Sequence, residues 1–306
     1  QRQRLLTYSE PQGEYDLRCA LADYVRERRN VVTAPEHIVV GAGVQMLLEI
    51  LCVLLKGRRT VSFPDGSFVQ GSTVFAAHGY TVRTRYKDAD IIYVSPSHMN
   101  RQGDVMPIQR RLELCAHSAD TGAVVIEDDF ENDFLYSSTP TPSLYALGSG
   151  NVVYMGAFSA LLLPGIRISF MVLSPALAAA YHQMKDTFAQ TASKTEQIAL
   201  CAYLRDGNMK SRTKKIRRLY TGKAKTLCTL LAKALPDHPV RVGENGLQVQ
   251  IETPMLPDSA PFEQAGLALY SGGLPLRRAC RSVGRSRPRR GCRPVQSGRS
   301  GESKVK

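Results

Sequence analysis

Seven short runs rich in β-branched and aromatic residues, spaced through the first 175 positions, constrain this chain most. They are HIVV (37–40), TVSFP (60–64), YTVRTRY (80–86), DIIYVS (90–95), GAVVIED (122–128), NVVYM (151–155) and RISFMVL (167–173). Runs this short and continuously apolar fit strands buried on both faces of a sheet. Helical patterns lie between many of them. Leu17, Ala20, Leu21, Tyr24 and Val25 recur at helical spacing, and Val44 to Leu55 is too long and too rich in Leu for a strand. Strand alternating with helix predicts an α/β domain with a mostly parallel sheet, which binds ligands at the carboxyl ends of its strands.

From Pro175 the pattern turns helical, through PALAAAYHQMKDTF, QIALCAYL and a basic helix from about Arg212 to Leu235. It returns to strands at PVRV and GLQVQIE, which predicts a smaller α+β domain. The chain therefore divides into an N-terminal segment (1–14), a large α/β domain (15–205), a small and incomplete α+β domain (206–270) and a tail (271–306). The net charge of +13 belongs mostly to that tail, whose nine Arg and two Lys face a single Glu. Rich in Arg, Gly, Ser and Pro, it has too little apolar surface to offset its ordering entropy and is expected to be disordered. A nucleic-acid surface on the folded domain is not indicated.

The apolar stretch from Val44 is far shorter than a bilayer span, and the polar start QRQRLL has no signal-peptide core. The expected location is the cytoplasm, with no membrane partner. The seven cysteines are scattered and form no CxxC pair, so neither a disulfide framework nor a zinc site is expected.

Three segments carry candidate chemistry. The glycine turn Gly41-Ala42-Gly43 lies between a strand and a helix, where free N–H groups can face a phosphate or the glycines can simply serve the turn. Three consecutive carboxylates, Glu127, Asp128 and Asp129, end an apolar strand. They could cap the next element, hold a divalent metal through oxygen, or keep one Asp ionised beside a protonated heterocyclic nitrogen. Arg167 leads another apolar strand, and its planar fork suits either a phosphate or a carboxylate such as Asp128.

In order along the chain, SEPQGEYDLRCALADYVRERRNV, IVVGAGVQMLLEIL, YVSPSHMNRQGDVMPIQRR, VVIEDDFENDFLY and NVVYMGAFSALLLPGIRISFMVLSPAL carry a resemblance to the aminotransferase-like domain of the MocR/GabR regulators. It spans roughly residues 5–270 and implies the fold type I pyridoxal-phosphate-dependent transferase architecture of the class I and II aminotransferases. In complete members a winged helix-turn-helix precedes this domain; none is recognised here, so DNA contact is expected only through a missing or separate domain. The resemblance implies pyridoxal 5′-phosphate as cofactor, a small amino acid or amine as substrate or effector, and a homodimer.

Carried over residue by residue, it puts Gly43, Val44, Ser159 and Arg167 around the cofactor phosphate and Asp128 at the pyridine nitrogen. It also puts Phe68 (in FPDGSFV) against the ring and Asn100 (in NRQG) at the ring hydroxyl. Where the family reads Gly-Thr-Phe-Ser-Lys, this chain reads Gly156-Ala157-Phe158-Ser159-Ala160, so the Schiff-base lysine position is Ala160 and no catalytic residue remains. Phe130 stands for the tyrosine two residues after the cofactor Asp. Only Lys87-Asp88-Ala89 joins YTVRTRY to DIIYV, where the family carries a longer connection. Lys194 is the candidate substitute amine, against its reading as a solvated loop lysine. Non-covalent cofactor binding with lost transamination is expected. The alternatives are an effector-binding module parted from its DNA-binding half and a degenerate product with neither role.

Overall fold

The computed structural model describes residues 3–99, 104–129, 141–148, 150–243, 249–253, 268–271 and 279–284. Among them, α1 (Tyr15–Arg29) precedes β1 (Ile38–Gly41), α2 (Val44–Leu54), β2 (Thr60–Phe63), α3 (Val69–Ala77), β3 (Thr81–Thr84) and β4 (Ile91–Val94). Then come α4 (Ile108–Thr121), β5 (Val124–Asp128), α5 (Leu144–Leu147), β6 (Val152–Ala157), β7 (Ser169–Val172), α6 (Pro175–Met184) and α7 (Lys194–Arg205). All seven expected strands of the large domain form; β1 and β6 run past their sequence runs, to Gly41 and Ala157.

They make one sheet in the order β1-β7-β6-β5-β4-β2-β3. Only β7 runs against its neighbours, antiparallel to both β1 and β6, while the other pairs are parallel. The reason is local: between β6 and β7 the chain has no crossover helix, so it turns back directly. Residues 158–168 form that turn, and Phe158 donates its N–H to the Ile168 carbonyl.

Side-chain alternation splits the strands between two faces. Val39, Val61, Ile91, Ile126, Val153 and Met171 meet α2, α3 and α6 on one face, through Leu47, Leu51, Phe75 and Tyr181. Ile38, Val40, Tyr154, Phe170 and Val172 meet α1 and α7 on the other, through Leu17, Leu21, Val25 and Leu200. Beside this second cluster, Val125 and Val152 pack with Cys115 of α4 and Leu144 of α5. Each such side chain contributes about 1.5–3 kcal/mol by leaving water, and burial on both faces explains the unbroken apolar runs.

The helix α8 (Asn208–Ala234) leads into a four-stranded antiparallel sheet of β8 (Val240–Val242), β9 (Val249–Thr253), β10 (Ala268–Ser271) and β11 (Ala279–Gly284), in the order β10-β11-β9-β8. Leu231 of α8 packs against Val249 and Ile251. One sequence expectation is corrected here: Ala279–Gly284 lies in the tail expected to be disordered, yet it forms β11 between β9 and β10. Pairing on both sides is a backbone affair, and backbone hydrogen bonds need little apolar composition. Among the described residues, no helix is long and apolar enough to cross a membrane.

Candidate functional site

The site grows from the carboxyl edge of the large sheet. β1 ends at Gly41, and the chain reaches α2 through Gly43, whose φ of 101° and ψ of 162° lie in a region open in practice to glycine alone. A Cβ on Gly43 would sit 2.4 Å from Nη2 of Arg167, so a side chain there would displace the guanidinium. No side chain caps α2, so its first N–H groups face outward beside that guanidinium. Arg167 adopts φ 48°, and no acceptor or carboxylate partners its side chain among the described residues. Of the two sequence readings, pairing of Arg167 with Asp128 is therefore not the one the structure adopts.

Asp128 ends β5, buried, and the Tyr93 hydroxyl of β4 donates to its Oδ2. Burial first, and the Asp128 charge second, push the Tyr93 hydroxyl well above its ordinary range, so it stays a donor. The Tyr93 ring stacks on Phe63 at 5.0 Å and lies 5.3 Å from the ring of Phe68. Phe68 itself folds back over Gly71, where a Cβ would come within 2.2 Å of its Cε1.

These groups enclose a cavity of about 540 Å³. Gly43, Val44, Phe68, Asp128, Ser159 and Arg167 all line it. Asn100 and Phe130 lie outside the described residues. Sequence reasoning missed Tyr93 and His98, which also line the cavity. The signal for Tyr93 was present, because a hydroxyl inside the apolar run DIIYV needs a buried partner.

No lysine lines the cavity among the described residues. Ala160, one residue beyond Ser159, is half-buried against the cluster around Phe158 and Leu161. Lys194 is occupied elsewhere: its Nζ donates to the Thr7 carbonyl (3.0 Å), the Thr7 Oγ1 (2.9 Å) and the Tyr8 carbonyl (3.1 Å), and it lies 3.4 Å from Glu14 Oε1. It ties the N-terminal segment to α7 and is not the solvated loop lysine of the plainer reading either.

The other two carboxylates of the triplet point to the opposite face of β5. Glu127 accepts from the N–H groups of Leu144 (2.9 Å) and Tyr145 (3.0 Å), which makes it a cap for α5. Asp129 accepts from Arg29 Nε (2.6 Å), Ser97 Oγ (2.6 Å) and the Tyr154 hydroxyl (2.9 Å). Burial, reinforced by the nearby Asp129 charge, pushes the Glu127 carboxyl up to about 7. No group of three metal-ligating side chains occurs among the described residues.

Comparison with known proteins agrees with this architecture. The family model for aminotransferase class I and II matches residues 1–260. The chain is similar to the HTH-type transcriptional regulator YhdI of Bacillus subtilis, 34% identical over 258 residues, covering 79% of this chain and 55% of that protein. It is also similar to the probable rhizopine catabolism regulatory protein MocR of Rhizobium meliloti, 28% identical over 254 residues, covering 78% of this chain and 51% of that protein. The chain thus spans about half the length of the curated relatives it matches. Among solved structures, the kynurenine aminotransferase of Pyrococcus horikoshii, crystallised with PMP, superposes with a TM-score of 0.76 at 20% identity, covering 94% of this chain and 79% of that one.

Proposed function

Because the chain belongs to the aminotransferase class I and II family, we propose that its cavity holds pyridoxal 5′-phosphate without a covalent link. In this reading the domain binds an amino acid or amine as an effector and does not transaminate it. The observation that carries the reading is the meeting of Arg167 with the start of α2 across Gly43. A guanidinium and a helix N-terminus are both positive, and together they favour an anion between them. A phosphate, with three acceptor oxygens, suits both the planar fork and the free N–H groups. The residues present therefore fit the cofactor.

Gly43 and Val44 would offer backbone donors to its phosphate, with Ser159 adding a hydroxyl and Arg167 the opposite charge. Phe68 would pack against the ring and Asn100 would meet the ring hydroxyl. Asp128 would hold a proton on the ring nitrogen, with the Tyr93 hydroxyl donating to its Oδ2. When bound, the cofactor supplies an electron sink for a carbon bearing an amine. At position 160, however, a methyl group offers neither a nucleophilic nitrogen nor a site to accept and return a proton. The hydrogen bonds of Lys194 argue against its taking over that work.

The relatives named as regulators favour the effector-binding reading. In that role the domain acts in the cytoplasm as a homodimer, and DNA contact comes through a separate domain. Titrating the purified chain with pyridoxal 5′-phosphate, followed by borohydride reduction and peptide mass spectrometry, tests this, with Ala160→Lys and Arg167→Ala in parallel. The expected results are saturable binding to the unmodified chain that Arg167→Ala weakens at least tenfold, no reduced adduct on the unmodified chain, and an adduct at position 160 in Ala160→Lys. An adduct on Lys194 or another lysine of the unmodified chain would overturn the loss of turnover. Absence of binding would overturn the cofactor reading itself.

A further inference from the structure

The link from β3 to β4 is only residues 85–90, although it must cross β2, which pairs in parallel with both. Crossovers between parallel strands ordinarily run to a dozen residues or more and carry a helix over the sheet. Here there is no helix, and the link is instead pinned to the end of β2. Arg85 donates its N–H to the Phe63 carbonyl (2.9 Å) and its Nε to the Pro64 carbonyl (3.1 Å), and the Tyr86 N–H donates to Ser62 Oγ (2.9 Å). Arg85 adopts φ 52°, a left-handed conformation that a residue with a side chain takes at a cost.

The consequence is a second cavity, of about 600 Å³, between this link and α4. Ile92, Val94 and Leu114 give it apolar lining, and Arg85, Lys87 and Arg110 bring three cations to its wall. Its one carboxylate among the described lining residues, Glu113, lies 3.1 Å from Arg110 Nη1. Arg110, Glu113, Leu114 and His117 follow one another at helical spacing, so α4 presents a continuous stripe to the cavity. His117 lines the same wall, with its Nε2 buried. The volume is that of a small-molecule site, and the wall pairs apolar side chains with charged ones.

We propose that this cavity is a second ligand site, distinct from the one lined by Gly43 and Arg167, and that it takes a small organic anion with an apolar body. The body rests on Ile92, Val94 and Leu114, and the anionic group faces Lys87, Arg85 and Arg110. The site does not depend on the cofactor reading, because Arg167 and Asp128 take no part in it. Tyr93 and Phe63 line both cavities, so an occupant of the second would touch the same rings that border the first.

The test is a fluorescence titration of the full chain with 8-anilinonaphthalene-1-sulfonate, an apolar body carrying one sulfonate. Saturable binding at one site is expected, weakened at least tenfold by the double substitution Lys87→Glu with Arg110→Glu and unchanged by Arg167→Ala. Both substituted side chains are exposed, so the thermal midpoint should stay where it is; Leu114→Trp, which fills the cavity without touching its charge, should abolish binding too. N-phenyl-1-naphthylamine, which lacks the sulfonate, should bind at least tenfold more weakly. No saturable binding, binding indifferent to the double substitution, or equal binding of the neutral analogue would each overturn the proposal.

Discussion

The two faces of β5 put the same chemistry to opposite uses. Asp128 turns toward the cavity at the sheet edge, where it accepts from the Tyr93 hydroxyl. Glu127 and Asp129, its immediate neighbours, turn the other way and are bound up with Arg29, Ser97, Tyr154 and the start of α5. The carboxylates on one face organise the fold through fixed donors, whereas Asp128 borders the cavity. Strand alternation alone separates the two roles.

The sharpest way to break this contrast is Arg29→Ala. It would leave Asp129 and Glu127 buried without their cation, and losing one partner of a buried ion pair costs about 3–5 kcal/mol. Urea unfolding should show the midpoint collapse, and a shift no larger than that of a surface substitution would remove the structural role assigned to this face. Next in size is Tyr93→Phe, which strips Asp128 of a hydrogen bond to a charged group at a cost of about 1.5–3 kcal/mol. Its melting temperature should drop without the loss of fold expected for Arg29→Ala.

Asp128→Asn should reverse the balance. Pyridoxal 5′-phosphate binding should weaken about tenfold, roughly 1.4 kcal/mol, while thermal stability changes little. Equal affinity of the two proteins in an equilibrium titration would detach Asp128 from the cofactor. The smallest effect concerns pH. The Glu127 carboxyl is pushed up to about 7 in the folded chain, from an ordinary value of 4.5. A raised carboxyl pKa means the folded state keeps this proton to higher pH than the unfolded state does. Its contribution is therefore fully present below about pH 4.5 and is lost as pH rises through about 7. Thermal melts of Glu127→Gln should lack that part of the decline, and curves parallel to those of the unmodified chain across this window would contradict the shift.

Much of this organisation was legible before any coordinates. The central strand runs were visible because burial on both faces demands apolar stretches, whereas the edge strand β3 is exposed, and Gly43 was marked by its position between β1 and α2. Six of the seven anticipated site residues line one cavity, although they come from segments as far apart as Gly43 and Arg167. What could not be read was orientation. Three adjacent carboxylates look alike in one dimension, and only the pleat assigns Asp128 to one face and Glu127 to the other. Lys194 likewise stood near the right segment, yet its ammonium turns to Thr7 and Tyr8. The composition of the tail predicts disorder, yet Ala279–Gly284 pairs with β9 and β10 there.

The sequence by itself determined the α/β architecture, the glycine turn and the absence of an amine at position 160, because each is a matter of local pattern or covalent identity. Tertiary structure alone decided that Arg167 comes to rest against Gly43, that Tyr93 serves Asp128, and that the short β3–β4 link leaves a second cavity beside α4. Those are contacts between distant segments, and their geometry follows from how the whole sheet twists and packs.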